Sequence, residues 1–358
     1  MDQPHISGKA VILTAGTLHT INAKTAHGLL RVSNRFEIIG VIDENNAGKD
    51  AGEVVDGKPN GVPVLPSILS FIELHEKPKY AIIGMATKGG VLPKELYPLV
   101  KQILSLGIHI VNGLHQPISE IEEFKSVAYE HGDIIYDIRK SRSFDDLHFW
   151  TGKIQEITAT KIAVLGTDCA LGKRTTSKML EAELNKLGHK AEMIYTGQTG
   201  WMQGANYGFL FDATANDFIS GELEHAMYEC WKNEQVDVLI MEGQSGLRNP
   251  SGPCGSEFII SGAADGVILQ HSPVRTRFKG LDHYPAEMPD ILDEVELIEK
   301  LGAPVIGLSI NTQNMNKAEL EPYRSALSTK TDLPIVFPFF ESIDPLVKAV
   351  TALKSDSK

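Results

Sequence analysis

The chain is poor in cysteine. Cys169, Cys230 and Cys254 are the only three in 358 residues, and their spacing forms neither a C-x-x-C pair nor a zinc pattern. A disulfide scaffold and a structural zinc site are excluded on that count, and a reducing, cytoplasmic setting is the expectation. Long apolar runs are missing too. None reaches the roughly 18 residues of a membrane-spanning helix. The amino-terminal stretch "MDQPHISGKA" has neither the basic start nor the apolar core of a secretory signal, so no membrane association or export is expected. Basic charge is scarce: 34 Lys and Arg stand against 46 Asp and Glu, for a formal net charge of -12. Duplexes are held by Lys and Arg neutralising phosphates, so a nucleic-acid partner is not expected. The G-x-G-x-x-G fingerprint is also lacking. The first glycine turn reads "TAGTLHTINAK", which argues against dinucleotide redox chemistry.

What remains is ordinary globular material, 42% hydrophobic and 22% charged. Its length suggests two domains, each able to bury a core. Buried-strand runs alternate with helical spacing along the chain. "KAVILTAG" (9–16), "FEIIGVID" (36–43), "YAIIGMAT" (80–87) and "IHIVNGLH" (108–115) read as strands, with helices over 25–33 and 93–107. The second of these helices has proline at its start and glycine beyond its end. Repeated β-α-β units predict a parallel sheet with helices on both faces, and ligands in such sheets sit at the carboxyl ends of the strands. The charged stretch 138–161 breaks the pattern, which places a boundary near residue 150. The expected organisation is a Rossmann-like domain over 1–150 and a phosphate-loop α/β domain over 151–358. The second half restarts with "KIAVLGTD", a helix over 173–188, and strands in "AEMIYTGQTG", "VDVLIMEGQSGL", "DGVILQHSP", "APVIGLSIN" and "PIVFPF".

The most informative stretch is "IAVLGTDCALGKRTT" (162–176). A phosphate loop works because backbone N–H groups and a helix N-terminus converge on negative charge, with a lysine adding a point charge. Strand, glycines, Gly172-Lys173 and helix are all in place, so Gly166, Thr167, Asp168, Cys169, Gly172, Lys173, Arg174 and Thr175 are read as the phosphate-binding set. Two features depart from G-x-x-x-x-G-K-[ST]. Five residues, not four, separate Gly166 from Gly172, and Arg174 stands where the metal-holding hydroxyl belongs. Thr175, one place on, is rotated by about 100° around the helix. Arg174 supplies a guanidinium suited to a further phosphate. Cys169 reads as a small loop residue. The five-residue gap, the "GTD" start and the acid of "VDVLIMEGQSG" resemble dethiobiotin synthetase and its relatives. Glu242 at that strand end is a metal-side acid, a general base or a turn cap.

Other strand-end loops add polar groups. The glycine-rich "YTGQTGWMQGANYG" (195–208) offers Gln198, Trp201 and Gln203 as amide contacts and an aromatic wall for a substrate. Asp212 and Asp217 follow, the first a candidate acid or base, the second a cap for a helix near Ile219. "GQSGLRNPSGPCGSE" (243–257) brings Gln244, Arg248 and Asn249. "QHSPVRTRFKGLDHYP" (270–285) concentrates His271, Arg275, Arg277 and Lys279. Arg275, Arg277 and Lys279 are candidates to bind carboxylates or phosphates, with arginine favoured for bidentate geometry, and His271 is a candidate base because an unperturbed imidazole titrates near neutrality.

Together "GTDCALGKRTT", "YTGQTGWMQG", "MEGQSGLRNP" and "HSPVRTRFKG", with the amino-terminal "AKTAHGLLR" and "GVIDENNAGKDAGEVVDGKPNGVPV", resemble one bacterial family, formerly a domain family of unknown function. It pairs a Rossmann-like domain with a phosphate-loop domain, and its characterised members are D-glutamate N-acetyltransferases acting in D-amino-acid catabolism. The resemblance covers nearly the whole chain. It implies acetyl-CoA as co-substrate, D-glutamate as the small-molecule partner and no metal. Glu242, Asp212 and His271 are then the base candidates in that order, and Arg275 and Arg277 hold the two substrate carboxylates. The first domain also resembles the CoA-binding domain of succinyl-CoA synthetases, so both domains stay open as the seat of CoA. Two rivals stand beside this reading: an ATP-dependent ligase or kinase like dethiobiotin synthetase, and a non-catalytic nucleotide- or CoA-binding protein. Base rates for enzymes of this size point to a homo-oligomer.

Overall fold

The structure is a computed structural model and describes residues 4–285 and 287–356; the first three residues of the amino-terminal stretch lie outside it. The chain divides into two compact units, one of residues 1–146 with 198–205, the other of 147–197 with 206–358. Each unit is built on a six-stranded sheet whose described pairings are all parallel.

In the first unit the strands are β1 (Gly8–Leu13), β2 (Phe36–Ile42), β3 (Val64–Leu65), β4 (Tyr80–Ile83), β5 (His109–Asn112) and β6 (Ile135–Asp137). They lie in the order β3-β2-β1-β4-β5-β6, the doubly wound arrangement that reverses direction beside β1. Helices α1 (Lys24–Arg31), α2 (Ala51–Asp56), α3 (Ile68–Leu74), α4 (Tyr97–Ser105) and α5 (Glu122–His131) connect them. Residues 10–13 and 80–83 are buried throughout, as expected for strands covered on both faces. On one face Phe71, Val100, Ile103, Leu104 and Phe124 pack with Val11, Leu13, Ala81 and Ile83 in one core cluster. The helix expected over 93–107 begins as a tight turn at Lys94–Leu96 and becomes α4 at Tyr97, with proline at its first turn.

The second unit holds β7 (Thr160–Gly166), β8 (Ala191–Ile194), β9 (Val238–Glu242), β10 (Gly266–His271), β11 (Val305–Ile310) and β12 (Ile335–Val336), in the order β12-β11-β10-β7-β9-β8. Its helices are α6 (Lys173–Lys186), α8 (Ile219–Glu234), α9 (Ser256–Ile260), α10 (Ile291–Lys300), α11 (Lys317–Ser328) and α12 (Asp344–Asp356); α7 (Gln198–Met202) belongs to the first unit. From β7 the chain crosses to the edge strand β8 and returns to β9 beside β7, then continues on the other side of β7 through β10 outward to β12. The reversal flanks β7, so the loops after β7, β9 and β10 meet at the carboxyl edge. Register fixes the meeting point: Val164 pairs with Glu242 and Gly166 with Gln270. Among the described residues no helix is long and apolar enough to cross a membrane.

Candidate active site at the phosphate loop

All seven residues of β7 are buried, and the strand delivers its loop into the N-terminus of α6. Gly172 sits at φ +106, a conformation that glycine adopts without strain, and this lets α6 start at Lys173. The first N–H groups of a helix have no partner inside it and carry the positive end of its dipole. The loop also holds Ala170 at φ 52, and the loop after β9 holds Ser245 at φ 37. Such non-glycine positions cost roughly 1–3 kcal/mol each and cluster at functional sites.

The Lys173 side chain is buried. Its Nζ donates to the carbonyl oxygens of Asp168 and Ser245, each at 2.8 Å, and burial pushes its pKa down. A Cβ added to Gly166 would lie 3.2 Å from Lys173 Cδ and 3.3 Å from Nζ, so only glycine leaves this space above the strand end. A buried ammonium, a helix N-terminus and a Cβ-free strand end suit an anionic group. Arg174 is half-buried and Thr175 is too. The Arg174 charge acts on Glu242. The next hydroxyl, Thr176 Oγ1, is spent inside the fold, donating to Gln270 Oε1 at 2.6 Å and pairing with Ser309 Oγ at 3.2 Å.

Glu242 ends β9 and is 5% exposed. Its Oε2 accepts the Thr196 N–H at 3.1 Å, the Gly197 N–H also bonds to it, and Thr196 Oγ1 donates to the Glu242 carbonyl at 2.5 Å. Burial raises its pKa against the opposing pull of Arg174 and Lys173. Gln244 braces the same corner through Nε2 to Thr196 Oγ1 at 2.9 Å. His271 ends β10, its Nδ1 3.0 Å from Thr167 Oγ1. Burial lowers its pKa to about 4, so the expected titration near neutrality does not hold: the ring is neutral at physiological pH.

Asp168 is fully buried. Its Oδ1 accepts from Asn249 Nδ2 at 2.8 Å, and its Oδ2 accepts from Arg275 Nη1 at 2.9 Å and the Lys279 N–H at 2.8 Å. Arg275 Nη1 reaches the Cys169 carbonyl as well, at 2.6 Å. This carboxylate ties together the loops after β7, β9 and β10, so its role is internal and not that of a ligand to phosphate. Cys169 is half-buried, its Sγ 3.6 Å from Ser245 Oγ.

The other candidates are exposed or bonded to other partners. Arg248 Nε donates to the buried Glu294 at 2.6 Å. Arg277 is exposed and folds onto its own loop, Nη1 donating to the Tyr284 carbonyl at 2.6 Å. Asp212 is exposed in a short turn, 211–213. Asp217 does not cap α8: the N-cap is Phe218, without a side-chain cap bond.

The segment 198–205 packs inside the first unit. Gln203 Nε2 donates to the Gly28 and Val32 carbonyls at 2.9 and 3.1 Å, and Thr25 and Thr199 hydroxyls meet at 3.1 Å. Trp201 is 2% exposed, with the Arg35 guanidinium 4.4 Å from its ring centre and Phe36 edge-on at 6.3 Å. Gln198 Oε1 accepts from Arg139 at 2.8 Å. Gln203 and Trp201, read as facing a substrate, thus face the unit's own α1 and β2, and Gln198 meets Arg139 beyond β6. Thr196, Ser245, Asn249 and Lys279 complete the phosphate-loop cluster; all four stand in strand-end loops that draw attention in sequence, but Thr196 and Ser245 are small hydroxyl residues that do not stand out within them. Among the described residues no three His, Cys, Asp or Glu side chains gather as a metal site.

Comparison with known proteins gives the cluster a context. The pattern described as "Domain of unknown function (DUF1611_C) P-loop domain" matches residues 148–347, and the corresponding DUF1611_N Rossmann-like domain matches residues 44–141. A D-glutamate N-acetyltransferase of Pseudoalteromonas sp. is 30% identical over 276 residues, 75% of this chain and 80% of that protein. Another, from Tritonibacter scottomollicae, is 27% identical over 280 residues, 77% of this chain and 82% of that one. The crystal structure of a DUF1611 family protein from Anabaena variabilis ATCC 29413 superposes with a TM-score of 0.88 at 28% identity, covering 96% of this chain and 99% of that chain.

Proposed function

This chain belongs to the DUF1611 family, and we propose that it transfers the acetyl group of acetyl-CoA to the amine of D-glutamate. One observation carries the reading: two relatives named D-glutamate N-acetyltransferase align with about three quarters of the chain, 75% and 77%. Both alignments are long enough to involve the phosphate-loop unit.

The chemistry follows from the side chains present. An amino-acid amine is protonated at neutral pH and must lose a proton before it attacks. Glu242 is the base: burial raises its proton affinity above that of a free carboxylate. The amine nitrogen forms the new bond to the acetyl carbon. The carbon–sulfur bond breaks, sulfur leaves with the electron pair, and the second amine proton neutralises it. The products are N-acetyl-D-glutamate and CoA. Lys173, Arg174 and the N-terminus of α6 offer positive charge to the phosphates of the donor. Backbone N–H groups at the strand ends are the candidate donors to the oxyanion. No metal is needed for these steps.

Purified protein given acetyl-CoA and D-glutamate in chelator-treated buffer should release free thiol. Absence of thiol release, together with ADP formation from ATP, would favour a ligase or kinase and remove this reading.

A further inference from the structure

The loop 275–279 is not a free excursion. Phe278 is 3% exposed, and Asp168 holds both ends of the stretch, the Arg275 guanidinium and the Lys279 backbone N–H. This arrangement brings a second lysine to the phosphate loop. Its side chain is half-buried and feels the charges of Arg275 and Asp168. Among the described residues no carboxylate forms an ion pair with it: Asp168 Oδ2 is already shared between Arg275 Nη1 and the Lys279 N–H.

Lys173, Arg174, Arg275 and Lys279 gather at the phosphate loop, with Asp168 and Glu242 among the carboxylates near them. The whole chain carries a formal charge of -12. A half-buried ammonium beside a guanidinium is unfavourable both through lost hydration and through like-charge repulsion, and an anion placed between them reverses both. Asp168 pins the loop where this conflict arises.

We infer that Lys279 is an anion-recognition residue at the rim of the phosphate loop, and that Asp168 is the positioning residue that seats it. A carboxylate or a phosphate oxygen suits the Lys279 ammonium. Under the acetyl-transfer reading, on which this step rests, the anion is a carboxylate of the amino-acid acceptor; a phosphate of the donor shares the same chemistry. The pairing also reassigns the role given to arginine in the sequence, since Arg275 Nη1 is committed to Asp168 and Arg277 to its own loop.

Lys279→Gln, Asp168→Asn and the double variant test this, with calorimetric titration of D-glutamate, CoA and inorganic phosphate into each. Lys279→Gln should weaken one of the three by about 10- to 100-fold, the span expected for a hydrogen bond to a charged group. Loss confined to D-glutamate identifies the carboxylate, and loss confined to CoA or phosphate identifies the phosphate source. In the Asp168→Asn background Lys279→Gln should cost little more, because the cation is already unseated; additive losses would overturn the positioning role. If Asp168→Asn does not fold, Lys279→Gln alone decides the subsite. Affinities for all three probes within about twofold of the parent, or no binding of any probe by the parent, would overturn the inference. Lys279-dependent binding without acetyl transfer would refute the acetyltransferase reading and leave the subsite standing.

Discussion

Replacing Glu242 by glutamine separates its chemical role from its structural one. The amide has nearly the same shape, and its oxygen can still accept the Thr196 N–H now held at 3.1 Å. What disappears is the charge. In the parent, burial raises the pKa of this carboxyl despite Arg174 and Lys173. A raised folded pKa means that the native state binds more protons than the unfolded state between the two values. Stability therefore falls as pH rises through that interval, and the penalty persists above it. Glutamine carries no such penalty, so the thermal midpoint of Glu242→Gln should exceed that of the parent at neutral pH, and the gain should shrink in acid. Activity should move the other way. A general base contributes about 10²- to 10⁴-fold, equivalent to about 3–5 kcal/mol of barrier. The assay is initial thiol release from acetyl-CoA with D-glutamate, alongside thermal melts from about pH 4.5 to about pH 7.5. A kcat within about threefold of the parent would refute the base assignment. A stability gain that grows towards acid would refute the electrostatic account of the site.

Three further outcomes are expected. Lys173→Ala combined with Arg174→Ala should weaken acetyl-CoA binding by about 100-fold or more, taking two charge-assisted contacts as lost; an unchanged dissociation constant in calorimetry would remove the loop from donor binding. His271 has its pKa lowered to about 4 by burial, so the unfolded state binds more protons between that value and about 6.5. Its contribution to stability is therefore complete above about pH 6.5 and is lost as pH falls towards 4, an effect of ~3 kcal/mol; urea unfolding across this range should show a shallower acid limb in His271→Gln, and an identical limb would contradict the assignment. Trp201→Ala should cost about 3–5 kcal/mol in urea unfolding, as for other fully buried large aromatics; a loss under about 1 kcal/mol would mean that segment 198–205 is not part of the first unit's core.

The alternation of buried strands and helices was legible because each signal is local. The start of α6 after Gly172, the strand ending in Glu242 and the strand ending in His271 could all be read from runs of a few residues. Pairings over long sequence distance could not. Asp168 meets Arg275 and Lys279 across 107 and 111 residues, and nothing in "GTDCALGKR" announces that its acid is turned inward. The glycine-rich run 195–208 signals that the backbone closes around something, but not what. The partners, Gly28, Val32 and Arg35, lie some 170 residues away in sequence, and one of the Gln203 bonds spans 175. The neutral state of His271 is likewise a consequence of burial, which the identity of the residue does not reveal. Asp217 failed as a cap because a tight turn at Asn216–Phe218 precedes α8 and leaves Phe218 at the N-cap position.

The proposed reaction leaves the acetyl group on nitrogen. Acetyl-CoA labelled with carbon-13 in the carbonyl, incubated with the protein and D-glutamate in the presence of chelator, tests this by nuclear magnetic resonance. An amide carbonyl signal from N-acetylglutamate should appear in step with free CoA, one for one. Label that stays in the thioester or appears only as acetate would contradict it.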